Sequence, residues 1–254
     1  MRERRIEPTT LFVVKRAATL LLAIVLLAGC LPREPDARVL FIGNSYTFYN
    51  NLPQMVLDLA DSAGMRIEVE AVTEGGAWLR DHRRSGTAGQ RLRTGDFDYV
   101  VIQEQSAVSS DTNLAREEMY PAAIAFASDA AATGTTLVLF ETWGHLSGFS
   151  GTGHSSYQSM QNAINSTYHE LSELLGKPLA PVGEAWQISL VSARGIRLHQ
   201  SDRSHPTLEG SYLAALVITA TITGESPESM TADLGVSTAV ANLLRQYAAE
   251  AMTE

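Results

Sequence analysis

Two short segments, far apart in the chain, carry side chains that can do nucleophilic chemistry together. One is Gly43-Asn44-Ser45-Tyr46-Thr47, which follows an apolar run; the other is Asp202-Arg203-Ser204-His205-Pro206. A serine hydroxyl is a weak nucleophile until an adjacent imidazole takes its proton. An aspartate three residues before a histidine can sit in one turn with its carboxylate on the ring. It then fixes the tautomer and stabilises the imidazolium that forms. Asp-x-x-His alone is a weak motif, and its weight comes from its company. Ser45 would project at the end of a strand, close before a helix whose amides favour developing negative charge. The same place also suits a serine that only caps that helix.

Three further loops bear on such a site. Glu74-Gly75-Gly76-Ala77-Trp78 lets the backbone come close to a substrate and present an N–H, or is an ordinary turn. Gln103-Glu104-Gln105-Ser106 follows abruptly on Val100, Val101 and Ile102, and a carboxamide there could donate into a cleft, or simply mark the strand's end. Glu141-Thr142-Trp143-Gly144-His145 could shape a substrate pocket, with His145 read as a loop histidine. Trp78 and Trp143 could stack on sugar rings, although core is the commoner role for each.

The elements that must position these loops alternate. Val39 to Ile42, Tyr99 to Ile102 and Leu137 to Phe140 are continuous apolar runs, as expected of strands buried on both faces. Leu179 to Val182 is a weaker fourth because of Pro181. In Arg66 to Val72, Ile67, Val69 and Ala71 alternate with Arg66, Glu68 and Glu70, which predicts a half-exposed edge strand. Helices are expected from Pro53 through Ala63, over Leu114 to Ala132, from Leu213 to Ile222 and from Val236 to Ala251. The best amphipathic pattern is Tyr157, Met160, Ile164, Tyr168, Leu171 and Leu175, at helical spacing. Strand–helix alternation implies an α/β fold with a parallel sheet covered on both faces, with ligands at the carboxyl ends of the strands.

The chain's start reads as an address. Arg2, Arg4, Arg5, Lys15 and Arg16 precede an apolar run from Ala17 to Ala28, too short to span a bilayer. A positive segment with a short apolar core is a secretory signal peptide. The run ends Leu27-Ala28-Gly29-Cys30, which resembles a bacterial lipoprotein lipobox. That resemblance implies cleavage before Cys30, lipidation of Cys30, and a firm hold on the extracytoplasmic side of a membrane of the cell envelope. The expected organisation is a signal peptide over 1–29, a lipidated tether over 30–37 and one α/β domain over 38–254. Cys30 is the one cysteine of the 254 residues, which excludes an internal disulfide framework and a zinc site built on several thiolates. Removing the leader takes away five basic and two acidic side chains and moves the net charge from −9 to −12. Either value argues against a nucleic-acid partner, which calls for a basic face.

Taken together, these residues resemble the SGNH (GDSL-type) hydrolases over essentially the whole mature chain. Gly43-Asn44-Ser45 matches the first block of that family, with Asn44 where Asp is usual. Asp202-x-x-His205 with Pro206 matches the last block, and Gly75-Gly76 falls where the second block has its glycine. The resemblance implies a flavodoxin-like α/β/α sandwich with five parallel strands. It implies Ser45 as nucleophile, His205 as general base and then acid, and Asp202 as its orienting partner. The oxyanion would be met by the N–H of Ser45, that of Gly76 (Gly75 is the alternative) and a side-chain amide. The family's Gly-x-Asn after the third strand is absent here, so Gln105, with Gln103 in reserve, stands in for that amide. The Gly-x-Ser-x-Gly elbow of α/β-hydrolases is also absent. The expectation is a membrane-tethered esterase that needs neither metal nor organic cofactor and takes a small-molecule or glycan ester. Two other functions compete: a glycan-binding lipoprotein with little catalysis, and a phosphate binder. The loop after the first strand lacks the run of small residues and the lysine that suit the latter.

Overall fold

Five strands form one all-parallel sheet, and their sequence explains why both faces are covered. The computed structural model describes residues 34–192 and 194–253. Cys30 and the leader lie outside the described residues. The strands are β1 (Ala37–Gly43), β2 (Ile67–Thr73), β3 (Tyr99–Ile102), β4 (Thr136–Phe140) and β5 (Leu179–Ala180), in the order β2-β1-β3-β4-β5. Val39, Phe41, Val101, Val138 and Phe140 point into one apolar layer. Leu40, Ile42, Val100, Ile102, Leu137 and Leu139 point into the other. Continuous apolar runs are therefore required, since alternate residues both need a dry partner. β2 lies at the sheet edge, as its alternating pattern predicts. Its outward Glu68 and Glu70 pair with Arg38 and Arg91.

The helices are α1 (Ser45–Phe48), α2 (Leu52–Ser62), α3 (Leu79–Ser85), α4 (Thr87–Thr94), α5 (Ser106–Ser110), α6 (Tyr120–Thr133), α7 (Tyr157–Leu175), α8 (Val182–Val191), α9 (Leu208–Thr223) and α10 (Thr238–Ala251). α2, α8, α9 and α10 supply one layer, and α3 to α7 the other. No helix among the described residues is long and apolar enough to cross a membrane.

Three elements differ from the sequence expectation. The helix expected over Leu114 to Ala132 is broken into a wide π-type turn at Ala115–Met119 and the regular α6. Pro121 has no N–H to give the preceding turn, which favours such a break. Pro206, expected from its place just after His205 to open the following helix, does not do so. It pairs with His199 in an antiparallel bridge, and Thr207 caps α9, its side chain accepting from the Gly210 N–H. The short α3, α4 and α5, and α8 after Pro181, were not anticipated, because segments of 5 to 10 residues hold too little periodicity to read.

The chain runs from β1 to the edge strand β2, then crosses to β3 on the other side of β1. The loops after β1 and β3 thus leave in opposite directions and open a crevice, the usual ligand position in such sheets.

Candidate active site

The first loop is shaped by packing. Gly43 ends β1, and a Cβ there would lie 2.3 Å from Thr47 Oγ1 and 2.6 Å from Gln103 Oε1. Close approach of neighbouring side chains, rather than turn geometry, is why glycine is needed. Asn44, not Ser45, caps α1: its Oδ1 accepts the Tyr46 N–H at 3.1 Å while its Nδ2 donates to Ala77 O at 3.0 Å. The residue standing where Asp is usual thereby ties the first loop to the glycine loop, which an acceptor-only carboxylate could not do. Ser45 is left as the first residue of α1 with its hydroxyl free for another partner.

That partner is His205, whose Nε2 lies 2.9 Å from Ser45 Oγ; its Nδ1 lies 2.6 Å from Asp202 Oδ2. This geometry fits Nδ1–H donated to Asp202 and the Nε2 lone pair facing the serine hydroxyl. Asp202 Oδ1 also accepts the Ser204 and His205 N–H groups, both at 3.0 Å, which fold the loop into one tight turn. Arg203 within it adopts φ 66°, and its carbonyl accepts the Leu146 N–H at 2.9 Å. Gln200 closes the loop from behind, through its N–H to His205 O and its side chain to Pro206 O. Partial burial alone would raise the Asp202 carboxyl, but the Ser204 N–H and the His205 ring and N–H outweigh it and hold the carboxyl below its ordinary value. Tyr49 stacks on the His205 ring at 4.3 Å and 15°.

A cavity of about 220 Å³ opens beside this chain and is lined by Ser45, Gly76, Gln105, His205, His145 and Ser106 among others. Gly76 takes φ 70°, a left-handed conformation that suits glycine. Gly75 does not line the cavity. The two glutamines divide their work. Gln103 is buried, its Oε1 accepting from Asn44 N and Thr47 Oγ1 at 2.9 Å each and its Nε2 donating to Glu104 O at 2.6 Å. It holds the first loop and does not line the cavity. Gln105 caps α5, its Oε1 accepting the Ala107 and Val108 N–H groups at 2.5 and 3.2 Å. Anchoring by the oxygen fixes the amide plane and leaves Nε2 unpaired. Among the described residues, Ser45 N–H, Gly76 N–H and Gln105 Nε2 all lack a hydrogen-bond acceptor.

Several contributors went unseen in the sequence. Glu104 is fully buried and accepts Leu79 N–H and Gln105 N–H, so one carboxyl joins the glycine loop to the loop after β3. Burial, only partly offset by these N–H groups, pushes it up to about 8. His82 Nε2 sits 2.8 Å from Gly43 O and pins the end of β1. His145 does not touch Ser45. Its Nε2 meets Ser204 Oγ at 3.1 Å, and Ser204 Oγ meets Tyr46 OH at 2.7 Å. Burial lowers the His145 ring below its ordinary value, which disfavours its charged form. Trp143 is wholly buried, stacked between Tyr46 at 4.4 Å and Trp186 at 4.0 Å, with Nε1 donating to Ser204 O. It is core support for the histidine loop and offers no face to a sugar. Trp78 is half-buried beneath the Arg80 guanidinium and lines no part of the cavity.

The fold that carries this arrangement is the SGNH-hydrolase fold, α/β with a five-stranded parallel sheet. The chain is similar over 85% of its length to a DUF4886 family protein from Bacteroides uniformis, at 19% identity and a TM-score of 0.75, covering 95% of that chain. A protein from Slackia heliotrinireducens, named as a candidate SGNH hydrolase, is 27% identical with a TM-score of 0.60, over 73% of this chain and 98% of its own. A catalytic mutant of Axe2, an acetylxylan esterase from Geobacillus stearothermophilus, superposes with a TM-score of 0.59 at 15% identity, over 77% and 98% of the two chains. No protein-family model matches the sequence, and no curated protein does.

Proposed function

We propose that this protein is a serine esterase that removes short acyl groups, with acetyl esters of glycans as the leading substrates, while held at a membrane by lipid on Cys30. The observation that carries the reading is the hydrogen-bonded Ser45–His205–Asp202 chain beside three unpaired donors on residues that line one small cavity. In the first half-reaction Ser45 Oγ attacks the ester carbonyl as its proton passes to His205 Nε2. Charge collects on the carbonyl oxygen and is met by the N–H of Ser45, that of Gly76 and the Gln105 amide. The C–O bond to the alcohol breaks as His205 returns the proton to the leaving oxygen. Water, deprotonated by the same nitrogen, then attacks the acyl-enzyme, and the acid leaves with Ser45 restored. A cavity of about 220 Å³ suits a small acyl group, with the alcohol extending outward. The acetylxylan esterase among the structural neighbours points the same way. The lipid anchor rests on the Leu27-Ala28-Gly29-Cys30 sequence alone.

Fluorophosphonate labelling and hydrolysis of p-nitrophenyl acetate test the reading together. Both are expected in the wild-type chain and absent in Ser45→Ala; if the variant keeps both, the reading is wrong. Glycan binding without any labelling of Ser45 would instead favour the binding lipoprotein, the reading that Gln105 in place of the usual Asn supports.

A further inference from the structure

A second polar cluster stands at the carboxyl end of β4, and none of its members lines the cavity around Ser45. Glu141 follows β4 directly, His169 lies on α7, and Glu184 is in the first turn of α8. His169 Nε2 is 2.8 Å from Glu184 Oε1 and 3.8 Å from Glu141 Oε2. One such atom from each residue lies within 4.8 Å of the others. Glu141 Oε1 accepts the Glu184 N–H at 3.1 Å. Oε2 is buried without a hydrogen-bond partner among the described residues, in a side chain that is 0% exposed. A buried carboxylate oxygen left unpaired is costly, and this one is turned towards an imidazole nitrogen.

We propose that Glu141, His169 and Glu184 bind a divalent transition-metal ion of the zinc class. One imidazole nitrogen and two carboxylate oxygens suit a borderline cation, whereas magnesium and calcium favour all-oxygen sets. Bonds of about 2.0–2.2 Å in a tetrahedral site put ligand atoms roughly 3.3–3.6 Å apart. Two of the three spacings, 2.8 and 3.8 Å, bracket that range, and all three atoms lie within 4.8 Å of one another. The Glu184 N–H holds Glu141 by its other oxygen, as an outer partner does in metal sites. Half-exposed His169 gives an entry path. Beside the cluster a groove of about 450 Å³, lined by Glu184, Gln187, Tyr247 and Glu250 among others, leaves room for water at a fourth position and brings no basic side chain. α7 and α8 pack on opposite layers, so the ion clamps both to the end of β4.

A proton competes with the metal for Glu141 Oε2, and the experiment separates the two. Tag-free full-length protein is stripped with chelator and titrated with Zn²⁺ by calorimetry, and Tm is followed with and without the ion. One equivalent should bind and raise Tm. His169→Gln, at a half-exposed position that tolerates change, should weaken binding by at least about tenfold. Glu141→Gln should do the same, and Ser45→Ala should bind as wild type even if the esterase reading fails. No binding at micromolar zinc leaves the proton as the occupant and overturns the proposal. Equal binding and an equal Tm rise in His169→Gln overturn it too, as adventitious binding elsewhere.

Discussion

The loops after β1 and β3 and the segment after β4 lie at the carboxyl end of one parallel sheet, yet they leave opposite kinds of group without a partner. Around Ser45 the unpaired groups are donors: two backbone N–H groups and the Gln105 amide. Beside β4 the unpaired group is an acceptor, Glu141 Oε2, with His169 and Glu184 around it. The first set suits a reaction in which negative charge appears briefly on a small substrate. The second suits a lasting positive charge. Burial makes the unpaired Glu141 oxygen costly until it is filled, whereas the donors around Ser45 sit on half-buried or exposed residues that water can reach. The difference also shows in how the loops are held. The Ser45 side is held by hydrogen bonds of Asn44, Gln103 and buried Glu104, and no carboxylate lines the cavity.

The largest expected effect breaks the first region outright. Ser45→Ala should lower kcat/KM for p-nitrophenyl acetate by about 10⁴-fold or more, with thermal stability nearly unchanged. Asp202→Asn should cost about 10²–10⁴ in kcat, because the amide can hold His205 in the wrong tautomer. A loss below tenfold would show that the exposed carboxylate does little. Gln105→Ala should cost about 10²–10³ in kcat with a smaller change in KM, as removal of a single oxyanion donor does. Gln103→Ala sharpens this contrast. It should lower stability by about 1–3 kcal/mol by stranding Asn44 N–H and Thr47 Oγ1, measured by denaturant unfolding. If the two glutamines exchange these phenotypes, the division of labour argued from their hydrogen bonds is wrong.

The smallest effect concerns pH. Glu104 rises from an ordinary 4.5 to about 8 in the folded chain. Between those values the folded state keeps a proton that the unfolded state has released, so stability falls as pH rises through that window. Glu104→Gln should flatten the slope between pH 5 and 8 in denaturant midpoints. The pH profile of hydrolysis should be the same in wild type and Glu104→Gln, because Glu104 touches neither Ser45 nor His205. A shifted activity profile in Glu104→Gln would mean that this carboxyl speaks to the chemistry and does more than join two loops.

Much of the frame was legible beforehand. Val39 to Ile42, Tyr99 to Ile102 and Leu137 to Phe140 had to be strands covered on both sides, since nothing polar in them could face water. The edge position of β2 followed from its alternating glutamates, and α7 from its spacing, with the same ends. Ser45, Asp202 and His205 could be singled out because residue type and position after a strand or before a helix are local properties, and the structure brings them within hydrogen-bond reach of one another. The roles of Gln103 and Gln105 were not legible, because two identical side chains two residues apart differ only in which neighbours reach them. Trp143 looked as fit for a sugar as for the core until Tyr46 and Trp186 closed over both its faces.

The sequence by itself determined the layered α/β frame, the edge of the sheet and the three residues of the Ser45–His205–Asp202 chain, because period, β-branched runs and short motifs act over a few residues. Only the tertiary structure decided which glycine and which glutamine line the cavity, that Asn44 rather than Ser45 caps α1, and that Glu141, His169 and Glu184 meet at all. Those outcomes depend on contacts between segments far apart in the chain. Each is settled by how strands in register bring their loops together, which no local pattern records.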